Sequence, residues 1–91
     1  MTDGAEQLGE YRLSRHAQGV IERRGIKPTW ITRTLADPVA RRPDAIDPNL
    51  THALRPIAEF GGRVLRVVYN GGETPPLVIT AFFDRSKKGK L

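Results

Sequence analysis

Acid–base and phosphate chemistry near neutral pH rests on imidazole, carboxylate and guanidinium groups, and this chain offers two histidines and eleven arginines. His16 is followed by Arg23 and Arg24, and seven residues nearly complete two turns of an α-helix. His16 and Arg23 therefore share one helix flank, with Arg24 at the adjoining position. An imidazole titrates close to neutrality and can donate or accept a proton, while a guanidinium holds phosphate through paired N–H groups. A second candidate is Arg66, which sits in a valine-rich stretch. Thr80, from a later apolar stretch, becomes its hydrogen-bonding neighbour if both lie on one sheet face. Each has a plainer reading: His16 as a packing group in a first helical turn, and Arg66 as part of a solvated outer face.

Other chemistries lack their parts. There are no cysteines, so disulfides, thiolate ligands and cysteine nucleophiles are excluded together. His16 and His52 are the only histidines, and neither has the spacing of a metal-ligand set. Gly61-Gly62 and Gly71-Gly72 belong to turns, not to a phosphate-cradling loop between strand and helix. No metal and no cofactor is expected.

Charge narrows the partner class. The formal net charge is +5 over 91 residues, but Asp3, Glu6 and Glu10 fall in the first ten with no basic residue beside them. The remainder carries all 15 Lys and Arg against seven acidic residues, a net +8. That balance suits a polyanion, RNA before others, with Arg23, Arg55, Arg63, Arg85, Lys87 and Lys88 as its contacts. The plainer reading is a solubilising surface. The strongest apolar stretch, Leu77 to Phe83, is too short to cross a bilayer. The N-terminus lacks the pattern of a secretory signal, so a cytoplasmic location without membrane contact is expected.

These groups need elements to position them. Residues 1–9 read as a flexible tail, 10–85 as a single α+β domain and 86–91 as a basic C-terminal tail. Tyr11 to Leu13 forms a short strand or an extended lead-in. Ser14 is a helix N-cap and Gly25 the residue past its end, with Ala17, Val20 and Ile21 as the buried stripe. Pro28 opens a second helix, Trp30 and Leu35 fix it to a sheet, and Asp37-Pro38 stops it. An edge segment and a loop occupy 39–49.

Three strand-like stretches complete the chain, Thr51–Phe60, Arg63–Asn70 and Leu77–Asp84. If Gly61-Gly62 is a two-residue hairpin turn, Ala58 faces Leu65, Pro56 faces Val67 and Leu54 faces Tyr69. Those residues then form the core face with Leu77, Ile79, Ala81 and Phe83. Arg55, Ile57, Glu59 and Arg66 fall on the opposite face, with Val78, Thr80 and Phe82. Pro56 implies an outer edge or a bulge.

The runs Leu13-Ser14-Arg15-His16-Ala17, Glu22-Arg23-Arg24-Gly25-Ile26 and Asp37-Pro38, followed by Gly62–Val68 and Val78–Phe82, resemble the family designated domain of unknown function 4258. The resemblance spans about residues 11 to 85. That family is thought similar to RelE-like and colicin-like ribonuclease toxins. It implies two short N-terminal helices on one face of a curved antiparallel sheet of three to four strands. It further implies metal-independent RNA cleavage, in which a 2′-hydroxyl attacks the adjacent phosphate. Carried over, His16 is general acid or base, Arg24 and Arg66 stabilise charge on the phosphate, and Thr80 orients one of them. Pro28 departs from the family's polar residue at the second helix start, which affects capping more than chemistry. An antitoxin or immunity protein is the implied partner, and a homodimer contact could supplement a small core. The alternative is a non-catalytic RNA- or protein-binding module using the same basic surface.

Overall fold

The computed structural model describes residues 11–91, so the expected tail at 1–9 lies outside them. The chain runs β1 (Arg12–Leu13), α1 (Arg15–Arg24), α2 (Pro28–Ala36), β2 (Ala40–Pro43), β3 (Leu50–Ile57), β4 (Arg63–Asn70) and β5 (Leu77–Phe83). Two 3-10 turns, Ala58–Phe60 and Arg85–Lys87, follow β3 and β5.

Local chemistry sets the helix ends. Ser14 Oγ accepts from the Ala17 N–H at 3.0 Å, satisfying one of the orphan donors of a helix start. Gly25 ends α1 at φ 65°, a conformation that costs a side-chain-bearing residue about 1 kcal/mol or more. Pro28 starts α2, where its missing N–H removes nothing.

The sheet is five-stranded, ordered β1-β5-β4-β3-β2. It corrects the expectation of three to four antiparallel strands, because Arg12–Leu13 adds to the edge of β5 in parallel. Two residues are enough because Arg12 N–H bonds Pro76 O at 2.8 Å and Ser14 N–H bonds Val78 O at 2.9 Å. The remaining pairs are antiparallel.

One core fills the space between the helices and one sheet face. Ala17 and Ile21 of α1, and Trp30 and Ile31 of α2, meet Ile57, Leu65, Val67, Val78 and Ala81. Each fully buried Ile, Leu or Val contributes on the order of 2 kcal/mol, so these few side chains hold the helices in place.

The β3–β4 register differs from expectation. Ile57 pairs with Arg63 and Leu54 with Arg66, so the connection is the five residues Ala58 to Gly62 rather than Gly61-Gly62 alone. The 3-10 turn uses up Ala58, Glu59 and Phe60, and both glycines take positive φ. The difference is an odd number of residues, which moves all of β3 to its other face. Ile57 belongs to the core, Leu54 and Pro56 to the far face, and Arg55 to the helix side. Arg55 Nη1 there bonds Asp37 O at 2.7 Å, and Glu59 in the turn is paired to Arg33. A bulge corrects β5 as well. Val68 pairs with Thr80 but Tyr69 with Val78, so Ile79 is the extra residue and Val78 returns to the core face.

Candidate functional site: a polar chain and a basic groove

On the sheet face away from the helices, strand pairing sets out two rows. Arg42, His52, Val68 and Thr80 form one, and Ala40, Leu54, Arg66 and Phe82 the next. Among the described residues neither α-helix packs there, yet Leu54, Val64 and Val68 on this face are buried.

Over this apolar floor runs a chain of four polar side chains. Asp44, just past β2, accepts from His52 Nε2 at 2.7 Å. Its other oxygen accepts from the N–H groups of Asp47 (2.9 Å) and Ile46 (3.1 Å). Arg66 Nη1 donates to His52 Nδ1 at 2.8 Å, since a guanidinium can only donate. The network thus assigns the imidazole proton to Nε2. Arg66 Nε and Nη2 both reach Asp84 Oδ2, at 3.0 and 2.8 Å. Asp84 Oδ1 accepts from the N–H and hydroxyl of Ser86, at 3.0 and 2.6 Å.

The Asp47 N–H, then His52, then the Ile46 N–H hold the Asp44 carboxyl down at about 2. Asp84 is also lowered, first by the Ser86 hydroxyl and then by Arg66. The Arg66 and Asp84 side chains are each 15% exposed, so the pair is screened by water much less than a surface ion pair. These bonds occupy three of the five guanidinium N–H groups, leaving one on each terminal nitrogen.

The second feature begins where β1 stops. β1 covers β5 only at Leu77 and Val78, so the later carbonyls of that edge need other partners. Ser14 Oγ donates to Ile79 O at 3.2 Å and Arg24 Nη1 to Ala81 O at 3.2 Å. Arg24 is thereby drawn to the rim of a groove of about 590 Å3, lined also by Phe60, Arg63, Thr80, Phe82, Phe83 and Arg85. A smaller cleft of about 300 Å3 adjoins it, sharing Arg63, Phe83 and Arg85 and adding Asp84 and Lys88. Arg63 lies over the Phe60 ring at 4.5 Å, and Phe60 stacks at 5.5 Å on Trp30.

Of the residues singled out from the sequence, Arg24, Arg63, Thr80 and Arg85 come together in the groove, and Lys88 in the cleft beside it. Arg66 is on the same face as Thr80, pairing with Phe82 beside it. His16 is not brought to this site. It is exposed in the first turn of α1, about 12 Å along the helix axis from Arg24, and α1 packs on the face opposite Arg66. Arg23 is exposed on α1, its guanidinium lying over Gly19. Arg55 is held by Asp37, and Lys87 sits in the 3-10 turn after Asp84.

The residue that spacing did not single out is His52. Its signal was parity: in the true register His52 and Arg66 share a face, and Asp44 lies eight positions upstream in the loop that returns to β3. Among the described residues no group of three His, Cys, Asp or Glu has metal-holding geometry. No helix there is long and apolar enough to cross a membrane.

The model of the family described as Domain of unknown function (DUF4258) matches residues 13–83. The chain belongs to this family. No curated protein and no solved structure matches the chain. The DUF4258 region takes in the helices, the sheet, His52, Arg66, Thr80 and most of the groove. It stops just before Asp84 and Arg85, so the partner of Arg66 and one wall of the groove come from the segment beyond it.

Proposed function

We propose that this DUF4258 domain is an RNA phosphodiesterase that cleaves by 2′-hydroxyl attack, with His52 and Arg66 at the reacting phosphate. The observation that carries this reading is the Asp44–His52–Arg66 contact, at 2.7 and 2.8 Å. Asp44 fixes the imidazole's tautomer and orientation, as the carboxylate does in other acid–base dyads. Its partner Arg66 has two N–H groups left for phosphate oxygens.

When a phosphate draws the guanidinium toward itself, His52 Nδ1 becomes free to accept the 2′-hydroxyl proton. The 2′-oxygen then bonds to the adjacent phosphorus and the P–O5′ bond breaks. A cyclic phosphate and a 5′-hydroxyl result, the latter taking its proton from solvent. Guanidinium groups supply the charge stabilisation. Under this reading the arrangement is of the RelE-like toxin kind, and its partner is an antitoxin or immunity protein.

One observation favours a second reading, RNA binding without cleavage: both ring nitrogens of His52 already have partners. The deciding experiment incubates labelled RNA with the protein in EDTA, beside His52→Ala, Arg66→Ala and His16→Ala. Cyclic phosphate ends that disappear in the His52 and Arg66 variants and persist in His16→Ala support cleavage at this site. Intact RNA that stays bound means the second reading, and loss in His16→Ala alone would move the chemistry to α1.

A further inference from the structure

The groove beside β5 has a composition that phosphate binding alone does not require. Arg24, Arg63 and Arg85 surround it, and three phenylalanines contribute to its walls. The carboxylate of Asp84, at the neighbouring cleft, is already occupied by Arg66 on one oxygen and Ser86 on the other. The local charge is therefore strongly positive, with no unpaired acid among the lining residues to repel a polyanion.

The rings differ in availability. Phe60 has Trp30 and Phe83 as neighbours, with Arg63 over its face, and Phe83 is packed edge-on to Trp30. Phe82 has no aromatic or cationic partner among the described residues and remains half-buried at the groove. It lies on the same face as Arg66 and directly across from it, where opposed side chains start about 5 Å apart.

We infer that this groove is a single-strand subsite, in which an unpaired RNA base stacks on Phe82 while its phosphates lie among Arg24, Arg63 and Arg85. The inference rests on the proposed RNA substrate and extends it: the substrate is unpaired at the position next to the reacting phosphate. A base on Phe82 puts its neighbouring phosphate over Arg66, one strand away, and leads the chain toward His52. A base paired in a duplex keeps its faces covered by its neighbours and cannot lie on the ring. Stacking of this kind tolerates any base, because each has a π-face.

The test separates binding from cleavage by using a 2′-O-methyl oligouridylate of about ten nucleotides, which cannot undergo 2′-hydroxyl attack. Its affinity is compared with that of a duplex of the same length and with inorganic polyphosphate of equal charge. The single strand is expected to bind at least about ten-fold tighter than either. Phe82→Leu, which keeps apolar volume without a π-face, should lose about ten-fold, and Phe82→Trp should hold or regain affinity. Thermal melting of each variant confirms folding.

Equal affinity for strand and polyphosphate would overturn the inference and leave an anion patch open to any acidic partner. Preference for the duplex, or a Phe82→Leu variant as tight as the parent, would also overturn it. Cleavage of RNA by a protein that fails these binding tests would leave the proposed function standing and remove the subsite. Stacking without cleavage would do the reverse.

Discussion

The polar chain and the groove lie side by side on the sheet, yet they are opposite in electrostatic design. In the chain, Asp44, His52, Arg66 and Asp84 satisfy one another at 2.7 to 3.0 Å, with two carboxylates against one permanent cation. In the groove, Arg24, Arg63 and Arg85 come together, and among the described residues none of them has an acidic counterpart. The first arrangement fixes geometry, because each half-buried group is costly to leave without a partner. The second stores unspent positive charge, which is lowered in energy only when an anion arrives. Under the proposed function the first orients the groups at the reacting phosphate and the second collects the substrate.

The contrast can be broken from either side. The largest expected effect is on turnover. His52→Ala should lower RNA cleavage by about 10²- to 10⁴-fold, the usual contribution of a positioned acid–base group, with little change in RNA affinity. Gel assays of cleavage and binding on one preparation will check this. A His52→Ala variant that cleaves normally removes His52 from the chemistry.

Next comes the linkage of the chain. Arg66→Ala strands Asp84 and His52 together and should cost about 2 kcal/mol, seen as a lower denaturant midpoint with an unchanged slope. If stability holds, the four-residue chain is ornamental to the fold.

In the groove, the double variant Arg63→Ala, Arg85→Ala should leave the melting temperature nearly unchanged. It should weaken RNA binding and reduce the slope of log K against log salt by about two, one for each lost phosphate contact. An unchanged slope would mean that these arginines do not meet phosphate.

The smallest effect is in acid. Asp44 and Glu59 are each depressed to about 2, the latter chiefly by its paired bonds to Arg33, against ordinary values near 4. A carboxylate depressed on folding contributes stability that is present above its unfolded value and lost as pH falls through the folded one. Stability should therefore decline between about pH 4 and 2, and less steeply in Asp44→Asn and Glu59→Gln. Identical acid-unfolding curves would show that neither pair is held in the folded protein.

Much of the frame was legible because local chemistry wrote it. Ser14, Gly25, Pro28 and Asp37-Pro38 each constrain φ, ψ or an orphan N–H within a few residues, so the two helices follow from their neighbours alone. The concentration of arginine and the stretches that became β4 and β5 were equally open to inspection. Arg24, Arg63, Thr80 and Arg85 stand out by residue type alone, and the groove gathers them.

What the sequence did not settle was parity and proximity. The side-chain direction of a strand repeats every two residues, so a turn of five residues in place of two exchanged the faces of β3. That exchange sent Arg55 to the helices and set His52 beside Arg66. Likewise, His16 and Arg24 share a helix but stand at its two ends, and the packing of α1 on the core face, opposite Arg66, keeps His16 from Arg66. Composition and capping are properties of short stretches and can be read from them. Which guanidinium meets which imidazole depends on register across strands distant in sequence, and that is decided only when the core closes.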